Sequence, residues 1–165
     1  MNAILSTNDR ADVKVFAVCA SMLYVKFLAT TMIQGRKAFS AGTRVPEDNK
    51  LPMAKGQPIQ RLSKTDAVSD SSTVKKAVED EMRWKRIVQN DLESMPMAFV
   101  VFWGSIVAGG NQTATAALLV LYTTARISHT LTFASQMPLA RMGSWMTGIA
   151  CILGAGINGT LAALS

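Results

Sequence analysis

The sequence predicts an all-α polytopic membrane protein, a bundle of four transmembrane helices forming one domain over residues 1–165. Apolar residues make up 49 % of the chain and charged residues only 17 %, against about 25 % in a typical soluble domain. Twelve of the 17 basic residues lie between Arg36 and Arg86, and three of the longer apolar stretches carry few charges. This layout indicates membrane spans separated by a basic loop, and it argues against a nucleic-acid-binding surface.

Four segments are predicted to be helices of about 20 residues or more, long enough to cross a bilayer, and in the second the apolar run itself covers residues 94–108. They cover about residues 13–33, 83–108, 113–135 and 142–164. Pro96 lies inside the second segment and is expected to kink the helix or break it locally. Small residues recur every four positions in the last segment and predict a helix-packing face: Thr147, Cys151, Ala155, Gly159 and Ala163.

The polar stretch from about residue 34 to 72 contains scattered glycines and prolines, which predict a loop with turns. Because basic loops stay on the cytoplasmic side of a membrane, we expect this loop to be cytoplasmic. A tight turn at residues 109–112 and both termini should lie on the opposite side. Cys19 and Cys151 both fall in apolar segments, so neither a disulfide nor a metal site is expected.

A charged stretch directly precedes the second apolar run. At about 100° per residue, Arg83, Arg86, Asn90 and Glu93 share one narrow sector of a helix, whereas Asp91 lies outside it. Basic residues at a helix end often serve only as anchors at the lipid surface. An amide and a carboxylate aligned with two cations instead favour a polar binding site at the edge of the membrane.

A lysine, Lys26, interrupts the first apolar segment. A lysine in mid-membrane costs roughly 2.5–3.5 kcal/mol on insertion scales, so we expect Lys26 to face a partner, with snorkelling as the alternative. Asp91 is the carboxylate without a place in the aligned sector. We therefore predict that Lys26 and Asp91 form a structural intramembrane pair.

Polar and aromatic residues share one face of the third segment. Tyr122, Arg126, His129 and Phe133 follow one another at spacings of four, three and four residues. Simpler roles stay open for each of them. Arg126 would then pair with Glu93, His129 would be a packing histidine, and the two aromatic rings would belong to the core.

Three motifs occur in order along the chain. They read R-K-A-F at 36–39, followed by P-E-D at 46–48; N-D-L-E at 90–93, preceded by Arg86; and A-R-I-S-H-T at 125–130. These motifs resemble those of the membrane-associated proteins in eicosanoid and glutathione metabolism, the MAPEG family. The resemblance covers roughly Lys14 to Cys151, and the nearest branch is microsomal glutathione S-transferase.

The resemblance implies an enzyme that conjugates the thiolate of its co-substrate glutathione to hydrophobic electrophiles, with glutathione peroxidase activity as a further expectation. It implies a homotrimer with sites between subunits and no metal. Arg141 matches the arginine that stabilises the thiolate, with anchoring at the interface as its simpler role. The glutathione-binding residues would be Arg86, Gln89, Asn90, Glu93, Arg126, His129 and Phe133.

Three positions depart from the prostaglandin-synthase branch of the family, which has an arginine at Gln89, a tyrosine at Phe133 and a serine at Met142. The family also often has an arginine near the end of the first helix, where this chain has Ile33. Met142 argues against prostaglandin E synthase specificity. The alternatives are a glutathione-dependent synthase of the prostaglandin E type, a non-catalytic lipid-binding scaffold of the same family, and a structural subunit of a larger membrane complex. We expect the endoplasmic reticulum membrane, with the mitochondrial outer membrane as the alternative and the active site facing the cytoplasm.

Overall fold

The computed structural model describes residues 10–61 and 72–165. These residues form four α-helices: α1 (Ala11–Ala41), α2 (Ser72–Val107), α3 (Gln112–Ala134) and α4 (Pro138–Leu164). Two short 3-10 helices, Pro46–Lys50 and Pro52–Ala54, lie between α1 and α2. The all-α prediction is therefore confirmed for the described part of the chain.

Within the described residues, α1 and α4 are long and apolar enough to cross a membrane. The helices α2 and α3 cover the positions of the other two predicted spans. They are less apolar than α1 and α4 and do not reach the apolarity expected of a membrane span. The apolar half of α2 opens with Asn90, Asp91 and Glu93, and α3 carries several threonines together with Arg126 and His129. The number of spans therefore stays a prediction.

The end of α1 differs from the prediction, because residues 34–41 are helical and do not belong to the loop. The helix ends in a Schellman motif, in which Thr43 N donates to Ala38 O (3.1 Å) and Gly42 N to Phe39 O (3.0 Å). Gly42 has φ +70°, a conformation that favours glycine. Burial of Ala38, Phe39 and Ala41 supports these extra helical turns.

The other helix boundaries follow local chemistry. The helix α4 begins at Pro138, a residue suited to the first position of a helix, so Arg141 lies in its first turn and not before it. At the preceding turn, Asn111 caps α3 by accepting a hydrogen bond from Ala114 N (3.0 Å). The helix α2 continues through the exposed Pro96 as one element, so the proline does not break it.

The chain divides into two compact units, one formed by Leu28–Gln89 and the other by the chain before Leu28 together with Asn90–Ser165. The second of these contains parts of all four helices and is called the bundle unit below. Its core is lined by Cys19, Leu23, Met95, Ala98, Phe102, Leu119, Tyr122, Cys151 and Ala155.

The small-residue face of α4 is partly confirmed. Cys151, Ala155 and Gly159 are buried, whereas Thr147 and Ala163 are not. Each step of four residues rotates the position by about 40° around a helix, so the ends of such a ladder leave the face. A Cβ atom at Gly159 would lie only 2.8 Å from the Cα of Ser105, so glycine permits this approach of α4 to α2.

A polar cluster joins α2, α3 and α4 near that contact. The Asn158 amide donates to Thr115 Oγ1 (2.9 Å), to Ser105 Oγ (3.3 Å) and to Asn111 O (3.2 Å). In return, Asn158 Oδ1 accepts from Asn111 N (3.1 Å). Buried polar groups need such partners, and the cluster fixes the ends of three helices relative to one another.

The unit Leu28–Gln89 has its own polar centre at Gln60. Its side-chain amide donates to Pro58 O (2.6 Å) and Phe39 O (3.1 Å) and accepts from Arg44 N (3.3 Å). In the same unit, Lys37 donates to Asp80 (3.0 Å), and this hydrogen bond is the main cause that lowers the pKa of the Asp80 carboxyl below its usual value.

Candidate functional site

A buried charge network occupies the bundle unit. Lys26 Nζ lies 2.6 Å from both carboxylate oxygens of Asp91. Arg126 Nη2 also donates to Asp91, and Arg126 Nη1 donates to Asn90 Oδ1 at 2.9 Å. The side chains of Lys26, Asp91 and Arg126 are 11 %, 0 % and 2 % exposed. The predicted contact between Lys26 and Asp91 is thus present.

The second cation on Asp91 was missed by the sequence analysis. A carboxylate has two oxygens and about four acceptor positions, so one aspartate can serve two cationic partners. From the sequence, Arg126 was predicted either to bind the ligand or to pair with Glu93. Its terminal nitrogens instead hold Asp91 and Asn90, which makes Arg126 part of the internal network.

The predicted inner face of α3 is present. Tyr122, Arg126 and His129 are buried, and Phe133 is half-buried. Tyr122 is 0 % exposed, lies in the core cluster and hydrogen-bonds Ser94 Oγ at 3.0 Å, so it is a core aromatic. The face therefore divides into a core part around Tyr122 and a polar part that begins at Arg126.

Three buried polar atoms on this part of α3 have no hydrogen-bond partner within the described chain. They are Arg126 Nε, His129 Nδ1 and Thr130 Oγ1. Spacings of three and four residues place all three on adjacent positions of one helix surface. Buried polar atoms are seldom left without partners, and hydrogen bonds within the described chain leave His129 Nδ1 without one.

Arg141 faces the end of this surface. Its guanidinium carbon lies 4.4 Å from the centre of the Phe133 ring, within the range of a cation–π contact. The edge of the same ring meets His129, with centroids 5.7 Å apart and an interplanar angle of 75°. Arg141 forms no ion pair with any described residue, so no carboxylate of that part of the chain neutralises its positive charge.

The aligned residues of α2 are more exposed than Asp91. Asp91 is 1 % exposed, whereas Glu93 is exposed and Asn90 is half-buried. Arg86 and Gln89 belong to the unit Leu28–Gln89 and lie on exposed positions of α2. The burial pattern therefore agrees with the predicted sector and with the place of Asp91 outside it.

An apolar cleft of about 360 Å³ lies between α1 and α3 in the bundle unit. Its walls include Val15, Val18, Met22, Val120 and Ile127, and none of the candidate site residues. The polar chemistry lies instead on α3 and the first turn of α4. There, a cation with an aromatic support suits an anion such as a thiolate.

Comparison with curated protein sequences gives no match. The MAPEG family model matches residues 15–159, which is most of the chain and close to the extent of the resemblance in the sequence. Members of this family are integral membrane proteins, in agreement with the apolar helices α1 and α4. Because the match covers far more than half of the chain, this protein belongs to the MAPEG family.

Proposed function

We propose that this protein is a membrane-bound glutathione S-transferase of the microsomal type, which joins the glutathione thiolate to hydrophobic electrophiles. The MAPEG family includes glutathione transferases, peroxidases and eicosanoid synthases. The observation that carries the proposal is the environment of Arg141. Its guanidinium is held over the Phe133 ring at 4.4 Å with no carboxylate paired to it in the described chain. A cation kept unpaired in this way favours a thiolate over a thiol.

The other candidate residues carry groups that suit the rest of glutathione, which has two carboxylates, one ammonium group and one thiol. Glu93 is the proposed partner of the ammonium group, and Arg86 of a carboxylate, with Gln89 beside it. Asn90 accepts from Arg126 through Oδ1, so its amide NH₂ is the part that would donate to the ligand. His129 and Phe133 would line the thiol end. Arg126 would act mainly by orienting Asn90.

The assembly and location belong to the same proposal. We propose a homotrimer with sites between neighbouring subunits in the endoplasmic reticulum membrane, with the active site facing the cytoplasm. The apolar helices α1 and α4 and the basic loop after α1 support a membrane protein with a cytoplasmic loop. The electrophile would arrive through the bilayer.

Glu93→Gln tests the binding surface. It keeps the side-chain shape and removes the charge, so glutathione binding should weaken while the oligomer and its melting temperature stay unchanged. The matched control is Glu79→Gln, another exposed glutamate on α2, which should leave binding at the wild-type level. Unaltered affinity in Glu93→Gln would assign Glu93 to the scaffold. A wild-type protein that neither binds glutathione nor conjugates an aryl halide would overturn the transferase proposal in favour of a lipid-binding scaffold.

A further inference from the structure

We propose that Phe133 is a positioning residue, which holds the Arg141 guanidinium in place for the thiolate without neutralising it. The inference rests on the proposed transferase function and deepens it. The contact joins the end of α3 to the first turn of α4, with the guanidinium carbon 4.4 Å from the ring centre.

The backbone between the two helices sets this contact. Met137 N donates to Thr132 O (2.9 Å) and Gln136 N to Phe133 O (3.2 Å), which closes α3 with a Schellman motif. Gln136 adopts φ +60°, a left-handed conformation that non-glycine residues seldom hold. The next helix begins two residues later, and Arg141 N bonds to Met137 O at 3.0 Å. The turn thus brings the two side chains together.

The ring of Phe133 also contacts His129. His129 lies one helical turn before Phe133 on α3 and is 3 % exposed. Its ring meets that of Phe133 in an edge arrangement at 5.7 Å. The contact with His129 therefore limits the movement of the aromatic ring, and the ring in turn limits the movement of Arg141.

An aromatic support has a different electrostatic effect from an acidic one. A carboxylate would hold Arg141 more strongly, but it would also cancel the charge and compete with an incoming anion. A phenyl ring attracts a cation through its quadrupole and leaves the net charge at +1. Arg126, which binds Asp91, shows the contrasting arrangement in the same unit. Of the two arginines, Arg141 is therefore the one whose charge stays available to an anion.

The test compares Phe133→Leu, Phe133→Trp and the double variant Phe133→Leu/Arg141→Leu. The readouts are kcat, KM, the pH profile of kcat and the thiolate absorbance of bound glutathione. From the usual strength of a cation–π contact, Phe133→Leu should lower kcat by about 2- to 30-fold. It should also move the acid limb of the profile to higher pH with little change in KM. Phe133→Trp should keep kcat and the pH profile close to those of the wild type, since tryptophan binds cations best among the aromatic residues.

The double variant separates positioning from packing. Once Arg141 is leucine, Phe133→Leu should cause no further fall in kcat. The control for loss of a packed ring is Phe99→Leu, because Phe99 packs against Phe16 and the core cluster of the same unit. It should lower the melting temperature without altering the pH profile.

Three results would overturn the inference. Phe133→Leu with wild-type kcat and pH profile would remove Phe133 from the mechanism while leaving the transferase function intact. An equal fall in kcat with and without Arg141 would show that Phe133 acts only through packing. A wild-type protein with neither thiolate absorbance nor conjugation would overturn both this inference and the proposed function.

Discussion

Asp91 is the one carboxylate in the described chain that holds two buried cations, Lys26 and Arg126. The network therefore carries a net charge of +1, and removal of its members should have unequal effects. Asp91→Asn keeps the shape of the side chain but leaves both cations without an anion. Removal of one partner of a buried pair costs about 3–5 kcal/mol, and we expect at least this loss of unfolding free energy.

Lys26→Met should be much milder, because Asp91 keeps its pair with Arg126. The variant loses a charge-assisted hydrogen bond worth about 1.5–3 kcal/mol. It also removes a membrane lysine that costs roughly 2.5–3.5 kcal/mol on insertion scales. The two ranges overlap, so the net change in unfolding free energy should lie between a loss of about 0.5 and a gain of about 2 kcal/mol.

Unfolding in detergent, followed by circular dichroism, and oligomer yield on size exclusion measure the difference. Lys85→Met removes an exposed lysine of α2 and is the matched control for Lys26→Met. We expect Asp91→Asn to be far less stable than Lys26→Met, which should resemble the control. Equal destabilisation by Asp91→Asn and Lys26→Met would refute the three-member network and restore a simple pair.

Three further predictions follow from the packing and from one carboxyl group. Gly159→Ala should lose about 1–3 kcal/mol of unfolding free energy, because its new Cβ would lie 2.8 Å from backbone of α2. The control Gly104→Ala, whose Cβ would have no atom within 4 Å, should gain up to about 1 kcal/mol. Equal stability of the two variants would contradict this prediction. Because the pKa of Asp80 is lowered in the folded protein, its contact with Lys37 stabilises the fold at pH values above 3.8, the ordinary pKa of the carboxyl group. This stabilisation is lost as the pH falls through the lowered pKa. The melting difference between wild type and Asp80→Asn should therefore shrink in acid, and a constant difference would be evidence against it. Gly42→Ala should speed trypsin cleavage of the loop more than Gly56→Ala. Both glycines have a positive φ, but only a Cβ at Gly42 would crowd a carbonyl, that of Ile59, at 3.1 Å. Equal cleavage rates in the two variants would be evidence against that contact.

Hydrophobic patterning was sufficient to predict the helices, because long apolar runs identify α3 and α4 to within a few residues. It was not sufficient at the end of α1. There the polar residues from Gln34 onward suggested a loop, although Gly42 is a typical signal for the end of a helix. Helix capping was therefore a better guide than polarity at this boundary.

The site was predicted residue by residue, but its contacts were only partly foreseen. Angular spacing and the cost of a membrane lysine led to the contact of Lys26 with Asp91. The second cation on Asp91 depends on the register between α2 and α3, which a single sequence does not encode in a local pattern. The contact of Phe133 with Arg141 depends on a left-handed residue at Gln136, where a glycine would have been the expected signal.

The most direct test of the central claim is the thiolate absorbance of glutathione bound to the purified protein at neutral pH. Wild type and Arg141→Leu should be titrated side by side, with bound glutathione quantified independently. We predict that both proteins bind glutathione, that only the wild type shows thiolate at neutral pH, and that Arg141→Lys retains part of the signal. Equal thiolate absorbance in wild type and Arg141→Leu would contradict the role of Arg141 as the group that activates the thiol.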